Sequence, residues 1–113
     1  MEKKLDHLLA VEKSYQNTDF DLQKLSNMLG ISKRRTSLLI QKQYGKTFSE
    51  CINDYRLQEV LHRFKNQKHK KLTIIALALE AGFPSKSTFY RYFKAKMGIS
   101  PSAFLNQIDT IGF

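Results

Sequence analysis

An internal repeat restricts the fold of this chain more than any other feature of its sequence. When Gly30 is set on Gly82, Leu22, Leu25 and Leu29 fall on Ile74, Leu77 and Ala81. Ile31 falls near Phe83. With one extra residue in the second copy, Thr36, Leu39 and Ile40 fall on Phe89, Tyr92 and Phe93, Gly45 meets Gly98, and Phe48 and Ile52 approximate Pro101 and Leu105. Apolar residues recur at helical spacing in both copies, and no segment shows convincing strand-like alternation. Two amphipathic copies in a chain of 113 residues bury their apolar stripes by packing helix on helix, so the fold is expected to be all-α.

Start and stop signals divide the chain into seven expected helices. Leu5, Leu8, Leu9, Val11 and Tyr15 mark a first helix over about 2–16, broken by Asn17-Thr18-Asp19. Asp21 caps a short second helix that Gly30 ends, and Ser32 caps a third that runs to Tyr44-Gly45. Thr47 and Glu50 form a T-x-x-E capping box for a long fourth helix, about 48–65. The tract Asn66–Lys71 reads as a loop. Thr73 caps a fifth helix ended by Gly82, a sixth runs from about Ser85 to Met97, and Ser100-Pro101 opens a last one to about Ile108. Each copy is thus a short apolar helix, a glycine turn and a basic helix, the pattern of a helix-turn-helix. The first spans about 21–45 and the second about 73–97. The long helix carries Phe48, Cys51, Ile52 and Tyr55 on one side and Leu57, Val60, Leu61 and Phe64 nearly opposite, as a strut between two cores would. Glu50, Asp54 and Glu59 on the same helix are expected to serve capping and solvation.

Charge separates the basic helices from the rest. Lys and Arg number 19 against 10 acids, a net +9. Residues 31–46 hold Lys33, Arg34, Arg35, Lys42 and Lys46 with no acid; 65–71 hold Lys65, Lys68, Lys70 and Lys71; 86–96 hold Lys86, Arg91, Lys94 and Lys96. Each remaining stretch is slightly acidic. Three acid-free blocks in so short a chain point to a polyanionic partner.

Helical geometry says which side chains are free to meet it. Thr36, Leu39 and Ile40 share the core face of the third helix, leaving Arg34, Leu38 and Gln41 opposite, Ser37 at the edge, and Ser32 and Lys33 at the start. In the sixth, Phe89, Tyr92 and Phe93 face inward, and Ser87, Arg91 and Lys94 point away, flanked by Lys86, Thr88 and Tyr90. Arg can grip guanine and Gln adenine with paired hydrogen bonds, while Ser, Thr or an apolar side chain can touch a base or a thymine methyl. Lys42, Lys94 and Lys96 suit solvent or phosphate rather than a base. Leu38 either meets DNA or packs on a neighbouring element, and Tyr90 fits an outward or a partly buried position.

Within the stretch Ile75–Lys94, Gly82-Phe83-Pro84-Ser85-Lys86-Ser87-Thr88-Phe89-Tyr90-Arg91-Tyr92-Phe93-Lys94 resembles the signature G-F-x-S-x-S-x-F-x-R-x-F-K of the AraC/XylS family of bacterial transcription regulators. Gly98-Ile99-Ser100-Pro101 with Phe104, Leu25-Ser26, Gly30-Ile31-Ser32, Gly45-Lys46-Thr47-Phe48 and Tyr55-Arg56-Leu57 fit further elements of that pattern, over about 20–108. The resemblance implies two helix-turn-helix units joined by a linker helix, acting as a sequence-specific DNA-binding regulator. It implies double-stranded DNA and RNA polymerase as partners, with the domain a monomer. It places base contacts on Arg34, Ser37 and Leu38 in the first half and on Lys86, Ser87, Thr88, Tyr90 and Arg91 in the second. Where the family often has L-S-R-L-F, this chain has Thr36-Ser37-Leu38-Leu39-Ile40, with Leu38 in place of the arginine. The first half therefore either reads a different base or contributes mainly phosphate contacts through Lys33, Arg34 and Arg35. The chain fits a complete small regulator or the C-terminal output part of a larger one, with the second slightly favoured.

Other chemistries lack support. His7, His62 and His69 are scattered with no cysteine at ligand spacing, so no metal site is expected. No phosphate-cradling glycine motif occurs, so no cofactor and no enzyme activity are expected. Cys51 is the single cysteine, there is no apolar run long enough to span a membrane and no secretory signal, which points to the cytoplasm and to no membrane contact. A non-specific nucleic-acid-packaging protein is the rival reading, distinguished by equal affinity for any sequence; a helical protein-interaction adaptor would show no salt-dependent DNA binding. If about six phosphates are neutralised, affinity for duplex DNA should fall on the order of 10³-fold between about 50 and 200 mM salt. Titration of a labelled duplex across that range checks this, and a flat response would remove DNA from the reading.

Overall fold

The computed structural model describes residues 1–66 and 72–111, with side chains to 108. Among the described residues there are seven α-helices and no strand: α1 (Glu2–Asp6), α2 (Leu22–Leu29), α3 (Lys33–Tyr44), α4 (Phe48–Lys65), α5 (Ile74–Glu80), α6 (Lys86–Met97) and α7 (Pro101–Ile111). Five N-cap side chains accept as the sequence predicts, although in the Thr47–Glu50 box the Glu50 carboxylate turns to Lys96 at 3.5 Å. Asp21, Ser32, Thr47, Thr73 and Ser100 each accept a hydrogen bond from the backbone N–H three residues on, at 2.8–3.2 Å. Each satisfies a donor that the first turn of a helix leaves without a partner. The basic tract expected as a loop lies, from residue 67 to Lys71, outside the described residues; Lys68, His69 and Lys70 fall there too.

Two apolar cores form, and α4 serves both. Leu5, Leu8, Leu9, Tyr15, Phe20, Leu25, Leu29 and Ile40 close over Cys51 and Ile52 in the first half of α4. Leu77, Ala78, Ala81, Phe83, Phe89, Phe93, Leu105 and Ile108 close over Leu57, Val60 and Phe64 in its second half. The architecture is two helix-turn-helix units, α2–α3 and α5–α6, joined by a linker helix.

The first helix departs from expectation. It was read as continuous over about 2–16, but α-helical geometry stops at Asp6 and gives way to a wider π turn over His7–Val11. Lys13 then adopts a left-handed backbone conformation, with φ at 53°, before a tight turn at Ser14–Gln16. Periodicity alone did not show this because Tyr15 is apolar at a plausible spacing. What reroutes the chain is a set of partners far away in sequence. Tyr15 is buried and stacks on Tyr55 with ring centroids 5.3 Å apart, and its carbonyl accepts a 2.8 Å hydrogen bond from Arg56 Nε.

Arg56 and Glu59 form a buried polar seam on one side of α4, where helical pattern alone predicts solvation for Glu59. Arg56 Nη2 also donates to Asn17 O at 3.2 Å. Glu59 Oε1 accepts from Lys13 Nζ, Tyr15 OH and Gln16 Nε2 at 3.1–3.3 Å, and Glu59 Oε2 accepts from Arg63 Nε at 3.2 Å. Arg63 reaches on to Glu80 of α5. Burial opposes ionisation of Glu59, but the hydrogen bonds and charges of Lys13 and Arg63 outweigh it and hold the carboxyl below its ordinary range. The seam thereby ties residues 13–17 to both α4 and the second unit.

Gly82 sits where that N-terminal segment meets the second unit. Its φ is +111°, and a Cβ there would lie 2.0 Å from Tyr15 O and 2.9 Å from Gln16 Cα. Gly30, its counterpart in the repeat, has a φ of +72° and open space around it. Gly82→Ala should therefore cost about 3 kcal/mol of stability, combining backbone strain and a clash with main chain. Gly30→Ala should cost only about 1 kcal/mol, from the left-handed conformation alone. Urea unfolding of the two variants checks this. A second expectation follows from Glu59. Its folded pKa is depressed, so its contribution is full above the unfolded value of about 4.3 and is lost as pH falls through the folded value. The stability gap between the parent protein and Glu59→Gln should thus shrink below about pH 4, measurable by denaturant titration at each pH.

Candidate nucleic-acid interface

α3 presents one core face and one solvent face. Thr36 and Ile40 are fully buried and Leu39 is half-buried. Ser32, Lys33, Arg34, Arg35, Ser37, Leu38, Gln41 and Lys42 are exposed. Leu38 is 60% exposed, so of the two alternatives left by the sequence, packing on a neighbouring element is not what the described residues show. Ser32 Oγ is engaged as the cap of α3, accepting from Arg35 N at 3.1 Å.

α6 repeats the arrangement with larger core residues. Phe89 and Phe93 are fully buried, Tyr92 is half-buried, and Lys86, Ser87, Arg91 and Lys94 are exposed. Two of the residues named from the sequence are less open. Thr88 is half-buried, its N–H donates to the capping Ser85 Oγ, and its hydroxyl lies 3.1 Å from that same oxygen. Tyr90 is half-buried against the second core, 5.4 Å from the Phe89 ring centroid, with Lys86 Nζ 5.7 Å from the centre of its own ring.

Ion pairing then divides the basic residues. Lys46 Nζ lies 2.6 Å from Asp54 Oδ2. Lys96, read as a solvent or phosphate group, instead lies 3.5 Å from Glu50 and 3.7 Å from Asp54. Lys42 makes a loose 4.0 Å contact with Glu2. Lys33, Arg34, Arg35, Arg91 and Lys94 are exposed and have no ion pair among the described residues. The start of α3 and the outer face of α6 thus each carry positive charge that is not committed to an acid among the described residues.

Asp54 was expected to be solvated, yet its carboxylate accepts from Lys46 and also from Tyr92 OH. Burial works against its ionisation; the hydrogen bonds from Lys46 and Tyr92 and the neighbouring lysine charges outweigh it and hold the carboxyl below its ordinary range. Asp54, Arg56 and Glu59 pair across the fold, which helical pattern alone does not show. Their signal was the two polar strips left between the diverging apolar stripes of α4. Cys51 lies in the first core, where burial pushes its thiol up to about 11, so it stays protonated at neutral pH.

Paired helix-turn-helix units with outward basic second helices define a class of nucleic-acid-binding domain. A family model described as a helix-turn-helix domain matches residues 25–107. The chain belongs to the AraC-type helix-turn-helix family of transcription regulators. It is 29% identical over 89 residues to the probable transcription factor PqrA of Proteus vulgaris, covering 79% of this chain and 70% of that protein. It is 26% identical over 103 residues to the transcriptional activator RhaR of Cronobacter sakazakii, covering 91% of this chain but only 35% of that protein. The C-terminal domain of the response regulator yesN from Fusobacterium nucleatum superposes with a TM-score of 0.80 at 22% identity, over 92% of this chain and 96% of that one, which shows the shared fold.

Proposed function

We propose that this chain is a sequence-specific DNA-binding transcription regulator in which α3 and α6 both act as recognition helices. Each would read a major-groove segment of one asymmetric site, with one chain bound per site. The observation that carries the reading is the pair of exposed, acid-free basic helix faces on a single rigid strut. Base reading falls to Arg34, Ser37, Leu38 and Gln41 in the first unit and to Ser87, Arg91 and Lys86 in the second. Lys33, Arg35 and Lys94 serve phosphates, with Ser32 and Thr88 at the helix starts and Tyr90 beside them as supporting contacts. Leu38 suits a thymine methyl, so the first unit contributes apolar contact where a relative with arginine would hydrogen-bond. Phosphate contacts supply most of the affinity and set the register.

The dimensions support a two-segment site. Successive major-groove faces on one side of DNA lie about 34 Å apart. α4 has 18 residues and so spans about 27 Å. Side-chain reach, or a bend of the DNA towards the protein at modest elastic cost, closes the difference, and a bent site is expected. The resulting footprint is about two helical turns. Action at a promoter brings RNA polymerase within reach as a second partner, in keeping with the family.

Arg91→Ala should cost about 1–3 kcal/mol on the preferred site and relax preference at one base pair. Lys94→Ala should weaken all sequences alike and reduce the salt slope. Binding of both variants to a site selected from random DNA, and to its single-base variants, checks this. Equal weakening on every sequence by both would make Arg91 a phosphate contact and overturn the assignment of the α6 face.

A further inference from the structure

We propose that Asp54 is a positioning residue that fixes the angle between the two recognition helices, so that the spacing of the two DNA segments is read through this one carboxylate. The proposal rests on the two-headed reading above. The closely packed helix pairs are α2 with α3, α3 with α4, α4 with α5, α5 with α6, and α6 with α7. α3 and α6 are therefore related to each other through α4. Asp54 stands on α4 and addresses the two units with different oxygens. Oδ2 takes Lys46 Nζ at 2.6 Å, from the turn immediately after α3. Oδ1 takes the Tyr92 hydroxyl from α6, with Lys96 Nζ one turn further along at 3.7 Å.

The surroundings make this bridge specific. Tyr92 OH is also within 3.3 Å of Glu50 O, and Lys96 Nζ lies 5.6 Å from the centre of the Tyr92 ring. The hydroxyl's single proton goes to the nearer Asp54 oxygen, with Glu50 O as a second, weaker neighbour. In the repeat, Tyr92 corresponds to Leu39, so the polar tip exists only in the unit that must be oriented relative to the other. A cleft of about 470 Å³ lies beside the bridge, lined by Tyr44, Lys46, Asp54, Tyr55, Lys96 and Met97. Lys46, Asp54 and Lys96 of the bridge line this cleft between the ends of α3 and α6. The Asp54 side chain is 21% exposed, so its ion pairs are less screened than surface pairs.

The test uses the full chain and a preferred site selected from random DNA. Affinity is measured on that site, on sites whose two segments are moved apart by about one base pair, and on each segment alone. The parent protein should lose on the order of 30-fold when the spacing is changed, a coupling of ordinary size between two sites. Asp54→Ala and Tyr92→Phe should reduce that penalty to a few-fold while leaving single-segment affinities unchanged. A merely structural role would not flatten the spacing profile. If both variants keep the parent's penalty, or if single-segment affinities fall in parallel with it, the positioning role is wrong. Should Asp54→Ala fail to fold in a thermal melt, Tyr92→Phe, which keeps the ring in place, decides the matter. A parent protein indifferent to spacing would overturn the two-headed reading and this proposal with it, a result distinct from variants that behave like the parent.

Discussion

Neither half of this molecule has a core of its own: both depend on burying one side of α4. Cys51 and Ile52 complete the first core and Leu57, Val60 and Phe64 the second. A helix-turn-helix pair of about 25 residues is below the size at which a chain usually folds without help. Sharing an 18-residue helix supplies each pair with the third surface it lacks. The apolar stripe must then change sides partway along, and the strips left over are polar. Those strips carry Asp54 on one side and Arg56 and Glu59 on the other. The same constraint that makes the cores stable therefore leaves two polar seams along the linker helix, one at Asp54 and one at Arg56 and Glu59.

The two copies of the repeat have diverged according to what each must touch. In the first unit, the hydroxyls of Ser26 and Thr36 meet at 2.9 Å inside the core, and Thr36 donates back to Ser32 O. Their counterparts are Ala78 and Phe89, both buried, so the second unit replaces a satisfied polar pair with a small residue and a ring. A hydroxyl pair holds one geometry because each group must find its partner; rings hold theirs by shape. Phe64, Phe83, Phe93 and Phe104 extend that aromatic packing.

The helices and the inward faces of α3 and α6 were legible because each rests on local signals: caps, glycine stops and apolar spacing. Thr36, Ile40, Phe89 and Phe93 are buried as spacing requires. The exposed faces were legible by subtraction. What was hidden depends on pairing across the chain. Lys46 and Lys96 look like any other members of a basic block until Asp54 and Glu50 are placed beside them. Gly82 reads as a helix stop, but its indispensable feature is the close approach of Tyr15 O. Tyr15 fits a continuing helix until Arg56 and Glu59 claim its carbonyl and hydroxyl. Charge pairs and backbone contacts between distant segments leave no periodic trace, so pattern reading assigned these groups to solvent or to turns.

The docking of residues 13–17 against Arg56, Glu59 and Gly82 also sets an order of assembly. The segment is synthesised before the groups that hold it, which follow some forty to seventy residues later. Leu5, Leu8 and Leu9 belong to the same core as Cys51 and Ile52, so they too wait for α4. α5, α6 and α7 follow α4 directly and close on it through contacts much nearer in sequence. It follows that the amino-terminal half, although synthesised first, cannot complete its packing until the linker has emerged.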